Sequence, residues 1–168
     1  PLYSSAASDV YKRQRHIRSR TTDLHRNRRM TVAIAAISAE PLALAPHLQA
    51  VEHAAAGAIA TFVGTVRDHD PGANGEVTLL EYSCHPDAEA TLRAIANDLD
   101  REGARIAVTH RTGTLDVGEI AIVACVATAH RAEAFDICRE LVERIKHEVP
   151  IWKRQHAADG TTNWQGIS

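Results

Sequence analysis

From residue 31 onward, short apolar runs alternate with polar breaks marked by Gly or Pro, and the apolar spacing predicts a mixed series of strands and helices. Residues 31–37, TVAIAAI, are apolar and β-permissive. Glu40-Pro41 then opens an Ala- and Leu-rich stretch that reads as a helix to about residue 56. After Gly57, AIATFVGTVR reads as a strand in which Gly64 marks a bulge or a close backbone approach. This strand delivers Arg67 into the polar loop DHDPGANG, which is long enough to border a site. The next strand, EVTLLEYSC, alternates Val77, Leu79 and Glu81 with Thr78, Leu80 and Tyr82, and Pro86 opens a helix to about Arg101 that Gly103 ends.

RIAVTHR, residues 105–111, predicts a strand closed by Gly113. EIAIVACVAT, residues 119–128, is apolar on both faces, as a central strand should be. After Ala129-His130-Arg131, a helix places Ala134, Phe135, Cys138, Leu141, Val142 and Ile145 at three- and four-residue spacings, the pattern of one buried face, and Pro150 stops it. The remainder, IWKRQHAADGTTNWQGIS, predicts two short strands around the Asp159-Gly160 turn. The whole reads as an α+β domain with a mostly antiparallel sheet and no internal repeat.

Residues 1–29 do not fit this pattern. They lack any helical or strand period and include the low-complexity RHIRSRTTDLHRNRRM. Asp9 to Gln14, DVYKRQ, also matches the translation of a transposon-end adapter used in sequencing libraries. Residues 1–29 are therefore read as a non-native or disordered leader before a start at Met30, and residues 30–168 as the domain.

Composition narrows the function classes. A chain of 168 residues, 45% of them hydrophobic, suits one compact domain. No apolar run approaches the roughly 18 to 20 residues of a membrane span, and no hydrophobic secretion segment follows the Arg-rich start, so the expectation is a cytoplasmic protein without a membrane partner. The net charge of −2 conceals an uneven distribution: eight Lys or Arg fall within residues 1–30, whereas residues 31–168 hold eleven basic and nineteen acidic side chains. An acidic body argues against a nucleic-acid partner. Cys84, Cys125 and Cys138 form no C-x-x-C pair and are expected to be packing thiols. The ten histidines show no spacing that sets two ligands on one helical face, so no metal site is expected.

The scarce cations carry the chemical signal. Lys146 and Lys153 are the only lysines beyond residue 30, seven positions apart with Pro150 and Trp152 between them. Lys146 lies along the edge of its helix's apolar face, where partial desolvation would favour the neutral amine that a base or nucleophile requires. The plain alternative is a snorkelling lysine whose stem covers the core edge. Arg131 stands at a helix start, where the dipole disfavours a cation unless an anion is also bound. His130, just before it, could donate to the same group or simply cap the helix. Together Arg67, His130, Arg131, Lys146, Lys153 and Arg154 suggest a pocket for a small phosphate-bearing anion, and the residues alone leave the reaction open.

The segments TFVGTVRDH (61–69), HRTG (110–113), ATAHR (127–131) and above all K-x-x-x-P-x-W-K-R (146–154) resemble, in order and spacing, the large catalytic subunit of molybdopterin synthase. The resemblance implies an α/β-hammerhead-type domain with a small antiparallel subdomain and a homodimer. Each protomer would receive the Gly-Gly tail of a small ubiquitin-like sulfur-carrier subunit, giving a heterotetramer. The implied substrate is cyclic pyranopterin monophosphate. Sulfur comes from the carrier's C-terminal thiocarboxylate to form the dithiolene of molybdopterin, with no permanently bound cofactor. Carried onto this chain, the resemblance makes Lys146 and Lys153 the catalytic lysines. It makes Arg67, His130 and Arg131 pterin-phosphate contacts, with Thr65, Val66, Arg154 and Gln155 beside them.

Two departures stand out: Gln155 occupies a position where the family often has Glu, and the chain ends at Ser168 where some members continue with basic residues reaching the partner protomer's pocket. A rival of another class is a non-catalytic binding module for a ubiquitin-like Gly-Gly tail, which would not need both lysines or Arg67. A hydrolase built on Cys84 beside His85 lacks an orienting third group and a nucleophile-elbow pattern.

Overall fold

The computed structural model describes residues 31–69 and 76–165. The leader assigned to residues 1–29 and most of the DHDPGANG loop lie outside the described residues. Among the described residues, eight strands and three helices follow in the order β1 (Val32–Ser38), α1 (Leu44–Val51), β2 (Ala58–Thr65), β3 (Val77–Cys84), α2 (Ala88–Asp98), β4 (Arg105–Arg111), β5 (Gly113–Asp116), β6 (Ile120–Thr128), α3 (Arg131–Glu148), β7 (Ile151–Ala157) and β8 (Thr162–Gln165). The strands form two four-stranded sheets, ordered β1-β4-β6-β2 and β5-β3-β7-β8. Only the β1–β4 pairing is parallel. This is the expected mostly antiparallel α+β hammerhead-type fold, with the second sheet as the small antiparallel subdomain.

The first sheet is built as a core. β6 runs through its centre with every residue from Ala121 to Thr128 buried, because apolar side chains on both faces find cover on both sides. On one face Leu92, Ile95, Ile106, Val108, Ile137 and Leu141 join α2 and α3 to the sheet; on the other, Val51 of α1 meets Ala107, Val123, Cys125 and Ala127. All three cysteines are free. Burial pushes the Cys138 thiol up to about 11 and also raises Cys125, so these thiols stay protonated as packing groups.

Several boundaries differ from the sequence expectation for identifiable reasons. α1 spans Leu44–Val51 instead of residues 41–56. Ala43 is extended ahead of it, and Pro46 sits in the first turn, where its missing N–H has no intrahelical bond to lose. α2 starts two residues after Pro86 and ends three residues before Arg101. The four-residue β5 has no counterpart in the sequence expectation, being too short for an alternation to register. Phe135 is 64% exposed, not buried, and Ile137 fills the stripe in its place. Phe135 shares the edge of the apolar face with Val142 and Lys146, and at the start of the helix that edge is exposed.

Candidate functional site

A cavity of about 500 Å³ lies where both sheets meet the C-terminal half of α3, a size suited to a small molecule or a peptide end. Its assembly follows from chain periodicities. Val142, Ile145, Lys146 and Val149 recur at helical spacing on one face of α3 and its end. Val149, the residue before Pro150, is extended, as proline requires of its predecessor, so the helix stops and β7 begins at Ile151. Strand alternation then brings Ile151 and Lys153 to the same cavity. The two lysines, on different elements, are turned into one space by that proline break.

β2 supplies the opposite wall. Its register against β6 shifts between Gly64 and Thr65, and this bulge lets both residues face the cavity after Phe62, with Arg67 following two residues on. A Cβ on Gly64 would stand 2.6 Å from the Ile122 side chain, so the glycine provides the expected close approach as well as the bulge. Val66 points into the small core of Val77, Leu80, Leu115 and Ala121, and its main chain is tied to the Gly118-Glu119 turn in both directions. Val66 thus holds Thr65 and Arg67 in place from behind the wall.

Val77, Leu80 and Tyr82 of β3, His110 of β4, and Ala121 and Ile122 of β6 complete the lining. The surface therefore combines an apolar floor with Arg67, Lys146 and Lys153, and carries no carboxylate among its described residues. Such a site attracts an anion and offers N–H donors to developing negative charge. Lys146 is exposed at the rim, less desolvated than its edge position suggested, and Lys153 is half-buried.

The remaining candidates are placed elsewhere. Arg154 projects from the other face of β7, 3.5 Å from the Glu81 carboxylate and stacked 4.4 Å over Trp164, with His156 sharing the same carboxylate. Gln155 returns to the cavity side of the strand but is 1% exposed, and neither amide atom has a hydrogen-bond partner among the described residues. His130 and Arg131 are exposed at the start of α3. Fifteen residues separate Arg131 from Lys146, roughly 22 Å at 1.5 Å per residue, so one chain does not bring them to the same point.

His110 and Tyr82 were not singled out from the sequence. The signal was present in strand phase: His110 is in register with the inward-facing Ile106 and Val108, a polar residue where the alternation calls for an apolar one. The neighbouring Arg111 faces the other way, buried, with its guanidinium 2.9 Å from Glu119. That bond and the Asp116 N–H hold the Glu119 carboxyl below its usual range and fasten the β4–β5 corner to the start of β6. No group of three or more His, Cys, Asp or Glu able to hold a metal occurs among the described residues.

The family described as MoaE protein matches residues 37–148 of this chain. The chain belongs to the molybdopterin synthase catalytic subunit family. It is 39% identical over 140 residues to the molybdopterin synthase catalytic subunit of Halalkalibacterium halodurans, covering 82% of this chain and 88% of that one. Catalytic subunit 1 of Mycobacterium tuberculosis is 41% identical over 132 residues, 76% of this chain and 86% of its own. Among solved structures, molybdopterin synthase from Staphylococcus aureus superposes with a TM-score of 0.72 at 29% identity, covering 82% of this chain and 98% of that chain. Family membership makes the role an enzymatic one, a catalytic subunit of molybdopterin synthase type.

Proposed function

We propose that this chain transfers sulfur from the C-terminal thiocarboxylate of a small ubiquitin-like carrier subunit to cyclic pyranopterin monophosphate, forming the dithiolene of molybdopterin in the cytoplasm. The observation that carries the reading is the cavity into which Arg67, Lys146 and Lys153 converge over an apolar floor. Both proposed reactants are anions, a thiocarboxylate and a phosphate, and both would be drawn into it. Lys146 and Lys153 are the catalytic groups, orienting the thiocarboxylate and stabilising charge as the cyclic phosphate opens. Arg67 binds substrate, with Thr65 beside it and Val66 and Gln155 supporting the wall. Arg154 acts from the far face of β7 through the strand that carries Lys153.

The roughly 22 Å between Arg131 and Lys146 bears on assembly. If His130 and Arg131 contact the same phosphate, they do so from a second copy of the chain, which favours a homodimer with a carrier on each protomer, a heterotetramer. The relatives' designation as a catalytic subunit fits an enzyme completed by another polypeptide. No permanently bound cofactor enters this reaction.

The test is single-turnover conversion of the cyclic pterin phosphate by the full chain mixed with a thiocarboxylated carrier. Lys146→Ala and Lys153→Ala should each lower dithiolene formation by about 10²-fold or more, the scale of losing one aligned donor to a developing anion, while still binding carrier. A wild-type chain that binds carrier but makes no dithiolene would instead establish the rival, a non-catalytic module for a Gly-Gly tail.

A further inference from the structure

We propose that His110 is a further catalytic residue of this cavity, its Nε2 accepting the proton of the water that frees the carrier from the sulfur it has delivered. The inference rests on the sulfur-transfer reading and names a group that the reading leaves without a role.

The geometry fixes the tautomer. His110 Nδ1 lies 2.8 Å from the carbonyl oxygen of Arg111. A carbonyl only accepts, so Nδ1 carries the hydrogen and Nε2 keeps its lone pair. No described residue bonds to Nε2, and the ring forms part of the cavity wall. Tyr82 meets the imidazole edge-on, ring centroids 5.2 Å apart and planes at 75°, so the ring is held on two sides.

Burial lowers the His110 pKa below its ordinary value, with the Arg111 carbonyl opposing more weakly, which keeps the ring a neutral acceptor at physiological pH. The titratable and charged groups sharing its cavity are Arg67 beyond β2, Tyr82 on β3, Lys146 on α3 and Lys153 on β7. Arg67 has no lone pair to give, and the two lysines are assigned to the anions; His110 is the imidazole among them.

The chemistry calls for such an acceptor. When the carrier's sulfur bonds to a pterin carbon, that carbon's bond to a cyclic-phosphate oxygen breaks, the electron pair leaving on the phosphate oxygen, and the carrier remains attached as an acyl thioester. Water releases it: a C–O bond forms at the acyl carbon, the C–S bond breaks, and the electron pair leaves on sulfur as a thiolate. The attacking water gives one proton to Nε2, and the second goes to solvent as the carrier's new carboxylic acid ionises. No oxidant or reductant is needed. The surrounding cations stabilise the tetrahedral oxyanion and the departing thiolate but do not take the proton from water.

His110→Asn tests this, because the Asn amide can keep an N–H toward the Arg111 carbonyl while Nε2 is deleted. The full chain, a thiocarboxylated carrier and cyclic pterin phosphate are mixed, quenched rapidly and analysed by mass spectrometry for the covalent carrier–pterin adduct. The expected result is adduct formation at the wild-type rate, its hydrolysis slowed about 10²-fold or more, and loss of the acid limb of the wild-type hydrolysis profile. Hydrolysis at the wild-type rate with the acid limb intact overturns the role of His110 and leaves sulfur transfer standing. A wild-type chain forming neither adduct nor product overturns both. Nitrogen NMR of the wild-type imidazole, which needs no variant to fold, should report a neutral ring with hydrogen on Nδ1 at pH 7; hydrogen on Nε2 overturns the assignment.

Discussion

The two sheets of this protein are built on opposite principles. The β1-β4-β6-β2 sheet carries helices on both faces, and its central strand is buried from Ala121 to Thr128. The β5-β3-β7-β8 sheet has a small core of Val66, Val77, Leu80, Leu115 and Ala121 on one face. Its other face bears the Glu81, Arg154, His156 and Trp164 cluster. Apolar burial determines the first; strand pairing carries charged and polar groups into position in the second. The candidate site opens where they meet, so the first half supplies α3 with Lys146 and the second supplies Lys153, and both contribute to the apolar floor. A site that must hold several cations together is costly to build inside a well-packed core, and the seam avoids that cost.

The largest expected effect falls in the first sheet's core. Leu92 of α2 is completely buried in the large cluster, and Leu92→Ala should lower stability by about 2–5 kcal/mol, read from the urea midpoint at unchanged slope. Leu115 is equally buried, but its cluster borders the cavity, into which neighbours can relax. Leu115→Ala should therefore fall near the lower end, about 2 kcal/mol. Equal losses at both positions would break the contrast between the two halves.

A smaller effect of opposite sign is expected at Gln155. Its amide is buried in the second sheet without a hydrogen-bond partner among the described residues, and an unmet amide costs about 1–3 kcal/mol. Gln155→Met, similar in length and without those polar atoms, should stabilise the chain by about 1 kcal/mol in the same denaturant measurement. A loss of stability instead would mean that the amide is satisfied in solution, and that this half of the molecule is better packed than its contacts indicate.

The same division explains what could be read from the sequence. The first sheet was legible almost strand by strand because burial on one or two faces writes periodicity into the chain: β6 as a central strand, Gly64 as bulge and close approach, α3 ending at Pro150. Phe135 escaped because periodicity places a residue at a stripe's edge without saying whether anything packs over that edge. The second sheet was less legible. β5 is too short to show alternation, and Arg154 and Lys153 are adjacent in sequence but on opposite faces, so a cluster of cations along the chain becomes two separate environments. His130 and Arg131 stood beside Lys146 in the same motif argument, yet a helix of 18 residues sets them far apart. Helical phase sets the face a residue occupies, and only length along the axis sets how far apart two such residues stand.

The smallest effect is a pH dependence that separates the seam from the surface. Burial holds His110 below its ordinary value of 6.5, so in the window beneath 6.5 the unfolded chain has taken up a proton there that the folded chain has not. Stability therefore rises with pH across that window, is fully present above it, and is lost as pH falls through the folded-state value. Glu119, held down first by its Arg111 hydrogen bond, Glu148 by Arg144, and Asp159 by Thr161 act in the same direction. Their losses begin only below their ordinary values of 4.5, 4.5 and 3.8. Denaturation midpoints followed from about pH 7.5 down to about pH 3 should thus fall in two stages. His110→Asn should remove its share of the upper stage and leave the lower one unchanged. A difference between wild type and variant that stays constant across the upper window would mean that His110 titrates alike in the folded and unfolded chains. In that case the imidazole is wetter than its place in the cavity wall implies, and the seam between the sheets is open to solvent at that point.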